Sequence, residues 1–149
     1  MSAPFLIHTG AADWLHPAWR GHFYPADLPG DWLLSYYNTR FQAVYLPAAR
    51  WQAASSAEWA QWLDDTQPGF VFLLEPGAGA PPDSPRVIVA TPDWVASRVW
   101  WLDDAPDLRA LARRAAEQAA AGEALYVISR QGNLGWLEQV NSLRQVMGY

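Results

Sequence analysis

Four charged side chains follow apolar segments of this chain at positions that a parallel sheet would bring to one edge. Asp13 follows the first such segment, Glu75 ends the third, Asp93 follows the fourth and Arg130 follows the last. Ligands bind at the carboxyl ends of parallel strands. Two carboxylates there could act as general acid and base. Positions on separate strands do not fix the distances between these groups. Asp13 could instead cap a turn.

A second candidate is the segment Asp13 to Pro29, DWLHPAWRGHFYPADLP, which is rich in aromatic residues and interrupted by three prolines. It is too broken by proline to form one helix. Arg20 lies among Trp14, Trp19 and Tyr24 in this segment. A guanidinium stacks on aromatic rings and binds carboxylate or phosphate through two hydrogen bonds. Arg20 could therefore contact an anionic ligand, or it could hold the loop by stacking and by bonding backbone carbonyls.

Other catalytic chemistry finds little support in the sequence. The chain has no cysteine, and His8, His16 and His22 are its three histidines. A metal site needs three or four converging ligands, so we expect no metal. The glycines of PGAGAPPDSP lack the lysine of a phosphate loop and the third glycine of a dinucleotide loop. We expect no cofactor, and no serine lies in a G-x-S-x-G motif.

The elements that would position these residues alternate between strand and helix. Helices are expected to begin after Asp31, at the capping-box pair Ser55 and Glu58, and after Asp107, and a last helix is expected from 136 onward. Gly10 is expected to stop the first strand. Strands are predicted at 5–10, 43–47, 70–75, 86–92, 97–104 and 124–129. This alternation predicts an α/β fold with a mainly parallel sheet.

Composition narrows the partners and the cellular location. The 149 residues carry a net charge of −5. Nucleic-acid binding usually depends on clustered lysine and arginine, so we expect neither nucleic acid nor an anionic membrane as a partner. No signal-peptide pattern or membrane-spanning run is visible, which leads us to expect a cytoplasmic protein. The ten tryptophans fit either a tryptophan-rich core or a ligand groove or interface.

The N-terminal part resembles the YecE-like family, domain of unknown function 72. The resemblance is carried by the pattern W-R-G-x-F-Y-P-x-x-L-P, which reads WRGHFYPADLP at 19–29, together with Gly10, Trp14, Tyr37 and Phe41. It continues more weakly through PGFVFLLEP and the C-terminal segment. The resemblance implies a TIM-type barrel with no established reaction.

Three positions depart from the family pattern at strand ends. Tyr45 stands where the family has a glutamate, Pro47 where it has an asparagine, and Glu75 where it commonly has a lysine. The pocket chemistry of the family is therefore not expected to carry over unchanged.

Length also departs from a full barrel, which takes ~250 residues for eight units, so that this chain supplies about five. We expect one α/β domain over 1–149: a mainly parallel sheet with flanking helices, resembling an incomplete or shortened TIM-type barrel. The missing units are expected near a flexible Pro/Gly-rich loop at 76–85. Open sheet edges need covering, which a homodimer or the aromatic loop would provide.

Two functions stay open at this point. The favoured one is a non-catalytic domain that binds a partner or a small molecule, for which a small anion is the candidate. The alternative is a small enzyme acting on an anionic or sugar-like substrate at the carboxyl edge of the sheet. The candidate ligand-binding residues are Asp13, Trp14, Trp19, Arg20, Tyr24, Glu75 and Arg130.

Overall fold

The computed structural model describes residues 6–149, whose centre is a six-stranded sheet. Phe5, where the first strand was expected to begin, lies outside the described residues. The strands are β1 Ile7–Ala12, β2 Ala43–Leu46, β3 Val71–Leu74, β4 Val87–Val89, β5 Val99–Trp101 and β6 Leu125–Ser129. They pair in parallel throughout, in the order β4-β3-β2-β1-β6-β5.

Six α-helices connect or flank these strands. They are α1 Leu33–Asn38, α2 Ala48–Gln52, α3 Ser56–Asp65, α4 Pro92–Arg98, α5 Leu108–Ala120 and α6 Leu134–Met147, and two short 3-10 helices lie at Pro17–Trp19 and Gly30–Trp32. The parallel sheet and its helices confirm the predicted α/β class and the incomplete TIM-type barrel. Within residues 6–149, none of the helices has the length and apolar character needed to cross a bilayer.

The two faces of the sheet carry separate apolar clusters, because successive strand residues point to opposite sides. The outer cluster joins Val44 and Leu46 of β2 to the buried sides of α1, α3, α5 and α6. The inner cluster contains Ala43, with Tyr45 packed against it, and takes further side chains from β3, β4, β5 and β6. Most of the helices therefore lie outside the half-barrel, as in a complete one.

The inner face is partly covered by α4, which connects the two edge strands β4 and β5. Trp94 and Val95 of this helix pack on the inner cluster. The ring centroids of Trp94 and Tyr126 are 5.2 Å apart. The barrel is thus open between β4 and β5. It is not interrupted at the loop 76–85, as the sequence analysis expected, because β3 and β4 on either side of that loop pair directly.

Tyr37 of α1 links β1 to β2 through its buried hydroxyl. The Tyr37 Oη atom accepts a hydrogen bond from the Ala11 amide at 2.8 Å and donates one to the Ala43 carbonyl at 2.6 Å. A Cβ atom on Gly10 would lie 1.9 Å from that carbonyl oxygen and 2.8 Å from the Tyr37 hydroxyl. The expectation that Gly10 stops the strand was wrong. The strand continues to Ala12, and the absent side chain leaves room for the tyrosine.

The predicted helix starts had mixed outcomes. The capping box is confirmed, since the Glu58 amide donates to Ser55 Oγ and the Ser55 amide donates to the Glu58 carboxylate. Asp107 caps α5 by accepting from the Ala110 amide. Asp31 does not cap α1, because a 3-10 turn precedes that helix and displaces Asp31 from the capping position.

The close approach at Gly10 predicts that Gly10→Ala lowers the free energy of unfolding by about 1–3 kcal/mol or more. The added methyl group must push β1 away from β2. Gly30→Ala is the matched control, because a Cβ atom there meets nothing within 4 Å. Urea denaturation of both variants checks this, and equal midpoints would contradict the packing described for Gly10.

Stability is also expected to fall at alkaline pH. Burial raises the pKa of the Tyr37 hydroxyl well above its ordinary value. In the unfolded chain this group ionises near pH 10, so above about pH 10 the unfolded state binds fewer protons and the free energy of unfolding decreases. Urea denaturation from about pH 8 to pH 11 should show a smaller decrease in Tyr37→Phe than in the wild type. Tyr36→Phe on the same helix is the control. An unchanged slope in Tyr37→Phe would contradict the assignment.

Candidate functional site

Trp19 anchors the aromatic loop that follows β1. Its side chain is 2% exposed, and its Nε1 atom donates a hydrogen bond to the Gly132 carbonyl at 2.9 Å. The ring stacks on that of His16 with centroids 4.3 Å apart. Gly132 adopts φ 67°, and a Cβ atom there would lie 2.9 Å from the indole. Trp19 therefore holds the loop against the segment before α6, and its side chain is almost wholly inaccessible to solvent.

Tyr24 makes a second internal connection in the same loop. Its hydroxyl donates to the Trp14 carbonyl at 2.8 Å, and its ring is buried. Burial, with a smaller contribution from the charge of Asp13, raises the pKa of Tyr24 well above its ordinary value. Tyr24 therefore shapes the backbone at Trp14 as a neutral hydrogen-bond donor.

Arg20 is exposed and adopts one of the two roles considered for it. Its Nη1 atom donates to the Leu28 carbonyl at 2.7 Å. This bond ties the two halves of the loop together, which is the carbonyl-bonding role.

Asp13 directs the loop away from β1 through both of its carboxylate oxygens. Its backbone has φ 62°, a left-handed conformation that aspartate tolerates better than most residues. Oδ1 accepts from the amides of Trp14 and Leu15 at 2.7 and 3.2 Å. Oδ2 accepts from Arg50 Nε at 3.0 Å. The turn role considered for Asp13 is thus present, together with an ion pair.

Arg50 is the site residue that the sequence analysis missed. Its guanidinium carbon lies 4.9 Å from the ring centroids of both Trp14 and Trp62. Within residues 6–149, its Nη groups donate no hydrogen bond to the protein. Arg50 lies a few residues after the predicted second strand. The rule that selected Asp13, Glu75 and Arg130 at strand ends would have found it if extended by one turn.

A cleft of about 630 Å³ opens beside this arginine, within the usual range for small-molecule sites. Trp32 is the most solvent-exposed of its aromatic rings, with 62% of the residue accessible. We call this the Trp32 cleft. Its lining residues are Trp14, Leu15, Gly30, Asp31, Trp32, Leu34, Arg50, Glu58, Gln61, Trp62 and Asp65.

Glu75 and Arg130 lie at the carboxyl edge of the sheet and do not line the Trp32 cleft. Glu75 Oε1 accepts from the Ala48 amide at 2.9 Å, which ties it to the start of α2. The Arg130 guanidinium carbon lies 3.8 Å from the Trp101 ring centroid. The structure therefore separates the candidates that the sequence analysis grouped at one edge. Trp14 lines the cleft, Asp13 lies behind it on Arg50, and Glu75 and Arg130 lie elsewhere.

Tyr45 and Trp101 meet across the mouth of the half-barrel. Their ring centroids are 5.2 Å apart, although β2 and β5 are separated in the sheet by β1 and β6. Burial raises the pKa of Tyr45, the Glu75 charge raises it further, and the Arg130 charge opposes both. These side chains cover the space where an open barrel would hold its ligand.

His16 and Asp93 are among the remaining side chains that the sequence analysis considered for chemistry. Among residues 6–149, no three histidine, aspartate or glutamate side chains are placed to hold a metal ion. His16 Nε2 contacts the Ala12 carbonyl at 2.6 Å while its ring stacks on Trp19. Asp93 lies exposed in the first turn of α4.

A model of the family described as "Protein of unknown function DUF72" matches residues 8–76. Residues 8–76, a little under half of the chain, thus match the DUF72 family. This match confirms the resemblance noted from the sequence. No curated protein and no solved structure matches the chain.

The part of the chain that matches the DUF72 model contains all residues that line the Trp32 cleft. The W-R-G-x-F-Y-P pattern forms the locked loop, with Trp19 and Tyr24 buried in it. The structure gives the positions of two of the residues that differ from the family pattern. Tyr45 crosses the barrel mouth, and Pro47 directly precedes α2.

The two bonding roles of Asp13 predict a ranking of variants. Asp13→Asn keeps an oxygen for the Trp14 and Leu15 amides and tolerates positive φ, so it should lose about 1 kcal/mol or less of unfolding free energy. Asp13→Ala loses these bonds and strains the backbone, and should cost about 1–3 kcal/mol. Urea denaturation measures both, and equal losses would contradict the turn role.

Proposed function

We propose that this protein binds a small, hydroxyl-rich, sugar-like molecule in the Trp32 cleft without converting it. The observation that carries the proposal is the exposed Trp32 indole in a cleft shared with Arg50, which packs against Trp14 and Trp62. The proposal specifies the small-molecule-binding role that the sequence favoured.

The lining of the cleft supports such a ligand by its chemistry. Arg50 offers N–H donors in the plane of its guanidinium, which is held by its bond to Asp13 and by contact with Trp14 and Trp62. Asp31 and Asp65 offer acceptors for hydroxyl groups. The negative face of an indole attracts the weakly positive C–H groups of a sugar ring, and Trp32 is exposed enough to receive one.

The charge balance of the cleft argues for a neutral ligand over an anionic one. Asp13 already compensates the positive charge of Arg50 at 3.0 Å. The lining then keeps three carboxylates, those of Asp31, Glu58 and Asp65. A free anion would be repelled by these groups, whereas hydroxyl groups can bond both to them and to Arg50.

The engagement of the two proposed bases supports binding without catalysis. Asp13 uses both carboxylate oxygens within the protein. Glu75 bonds the Ala48 amide and lies outside the cleft. A general base must reach the proton that it removes, and neither residue is placed to do so in this cleft.

Two further proposals concern the setting of the protein. We propose a cytoplasmic location for this protein. We also propose that two copies pair along the open edges β4 and β5, because exposed strand edges favour association. Val89, an exposed residue on β4, supports this role for that edge.

The binding proposal is tested by native mass spectrometry of freshly purified protein and by calorimetry with three panels: neutral mono- and disaccharides, small carboxylates and phosphates, and small amines. We expect a sugar to bind and Trp32→Ala or Arg50→Gln to weaken it at least 10-fold. Arg130→Gln is the matched control, since it alters an arginine stacked on a tryptophan outside the cleft. It should leave affinity unchanged.

Three results would contradict parts of this proposal. Binding of anions in place of sugars would overturn the ligand class, and affinity that depends on Arg130 but not Arg50 would overturn the site. Turnover of a bound sugar, lost in Asp31→Asn or Asp65→Asn, would establish the enzyme alternative. Native spectra of a monomer at all concentrations would overturn the pairing of copies.

A further inference from the structure

Trp32 separates two neighbouring cavities. The second cavity has a volume of about 400 Å³, against 630 Å³ for the Trp32 cleft. Both cavities are lined by Asp31, Trp32 and Asp65. The exposed Trp32 indole thus lies where the two cavities adjoin, and we call it the partition. Asp31 and Asp65 also line both cavities.

The second cavity has its own wall, formed by Leu28, Ser35, Tyr36 and Thr39 in addition to the shared residues. It combines an aromatic ring with three hydroxyl groups, those of Ser35, Tyr36 and Thr39, as the Trp32 cleft combines aromatic rings with polar groups. Arg20 stabilises this wall by bonding the Leu28 carbonyl. We call this space the Tyr36 cavity.

The partition is held in place by its neighbours in the chain. The Trp32 amide donates to the Pro29 carbonyl at 3.0 Å, which closes the 3-10 turn. The next two residues, Leu33 and Leu34, are buried in the outer cluster. The backbone is thus fixed while the indole remains in solvent. A ligand that covers a large apolar ring otherwise exposed to solvent is stabilised by the burial of that surface.

We propose that the ligand is a chain of at least two linked sugar units, which crosses Trp32 with one unit in the Trp32 cleft and the next in the Tyr36 cavity. This inference rests on the proposed sugar-binding function. The indole supports the linkage between the units, Asp31 and Asp65 accept hydroxyl groups from either unit, and Arg50 donates to the first unit. No bond is made or broken.

The experiment is calorimetric titration with homologous probes of one to four units: glucose oligomers with β-1,4 linkages, glucose oligomers with α-1,4 linkages, and N-acetylglucosamine oligomers. In one or more of these series we expect the two-unit probe to bind at least 10-fold more tightly than the monosaccharide. A second contact site in one ligand adds to affinity through the effective concentration of the linked unit.

A blocking variant tests the second space separately. Ser35 is exposed on α1 and lines only the Tyr36 cavity of the two. Ser35→Tyr should remove the gain in affinity of the two-unit probe over the monosaccharide, with both affinities measured in that variant. Ser142→Tyr is the matched control, because Ser142 is an exposed helical serine on α6 that lines neither cavity. It should change neither affinity.

The outcomes separate this inference from the function on which it rests. Monosaccharide binding that depends on Arg50, with no gain in affinity for longer probes, would overturn the chain-like ligand and leave the proposed function standing. An affinity gain that survives Ser35→Tyr would overturn the second space. Absence of binding by every probe would overturn both proposals.

Discussion

Burial of Trp19 is the constraint on which the candidate site depends. Its indole nitrogen bonds the Gly132 carbonyl, and its ring packs against the aromatic side chains of the loop and of α1. This anchor fixes a loop that has little regular structure of its own. The Tyr24 hydroxyl then holds the Trp14 carbonyl, and Asp13 turns the chain beside it. The position of the cleft wall therefore follows from a tryptophan that no ligand contacts.

The incomplete barrel explains why the site lies on its flank. A complete barrel places its ligand at the mouth formed by the carboxyl ends of eight strands. Here α4 packs on the inner face, and the rings of Tyr45 and Trp101 meet there. Aromatic rings from β2, β5, β6 and α4 occupy this side of the sheet. The space beside the loop after β1, by contrast, keeps polar groups that face solvent.

Arg50 shows how the surroundings of a charged group change what it can recognise. A free arginine at a cleft would select anions. This arginine is paired with Asp13 and lies beside Trp14 and Trp62, while carboxylates line the rest of the cleft. It acts as a fixed hydrogen-bond donor more than as a net positive charge. This environment favours a neutral, hydroxyl-rich ligand over an anionic one.

The sequence by itself determined the α/β class, most of the strands, the caps at Ser55 and Asp107, and the similarity of the N-terminal part to the DUF72 family. Each of these signals is local, because capping, periodicity and motif spacing are read within a few residues of the chain. The tertiary structure alone decided that α4 covers the inner face and that Gly10 continues β1 under the Tyr37 hydroxyl. It also placed Arg50 against two tryptophans that are distant from each other in the sequence. Such contacts depend on how separate elements pack, and no local pattern specifies the distance between side chains that only folding brings together.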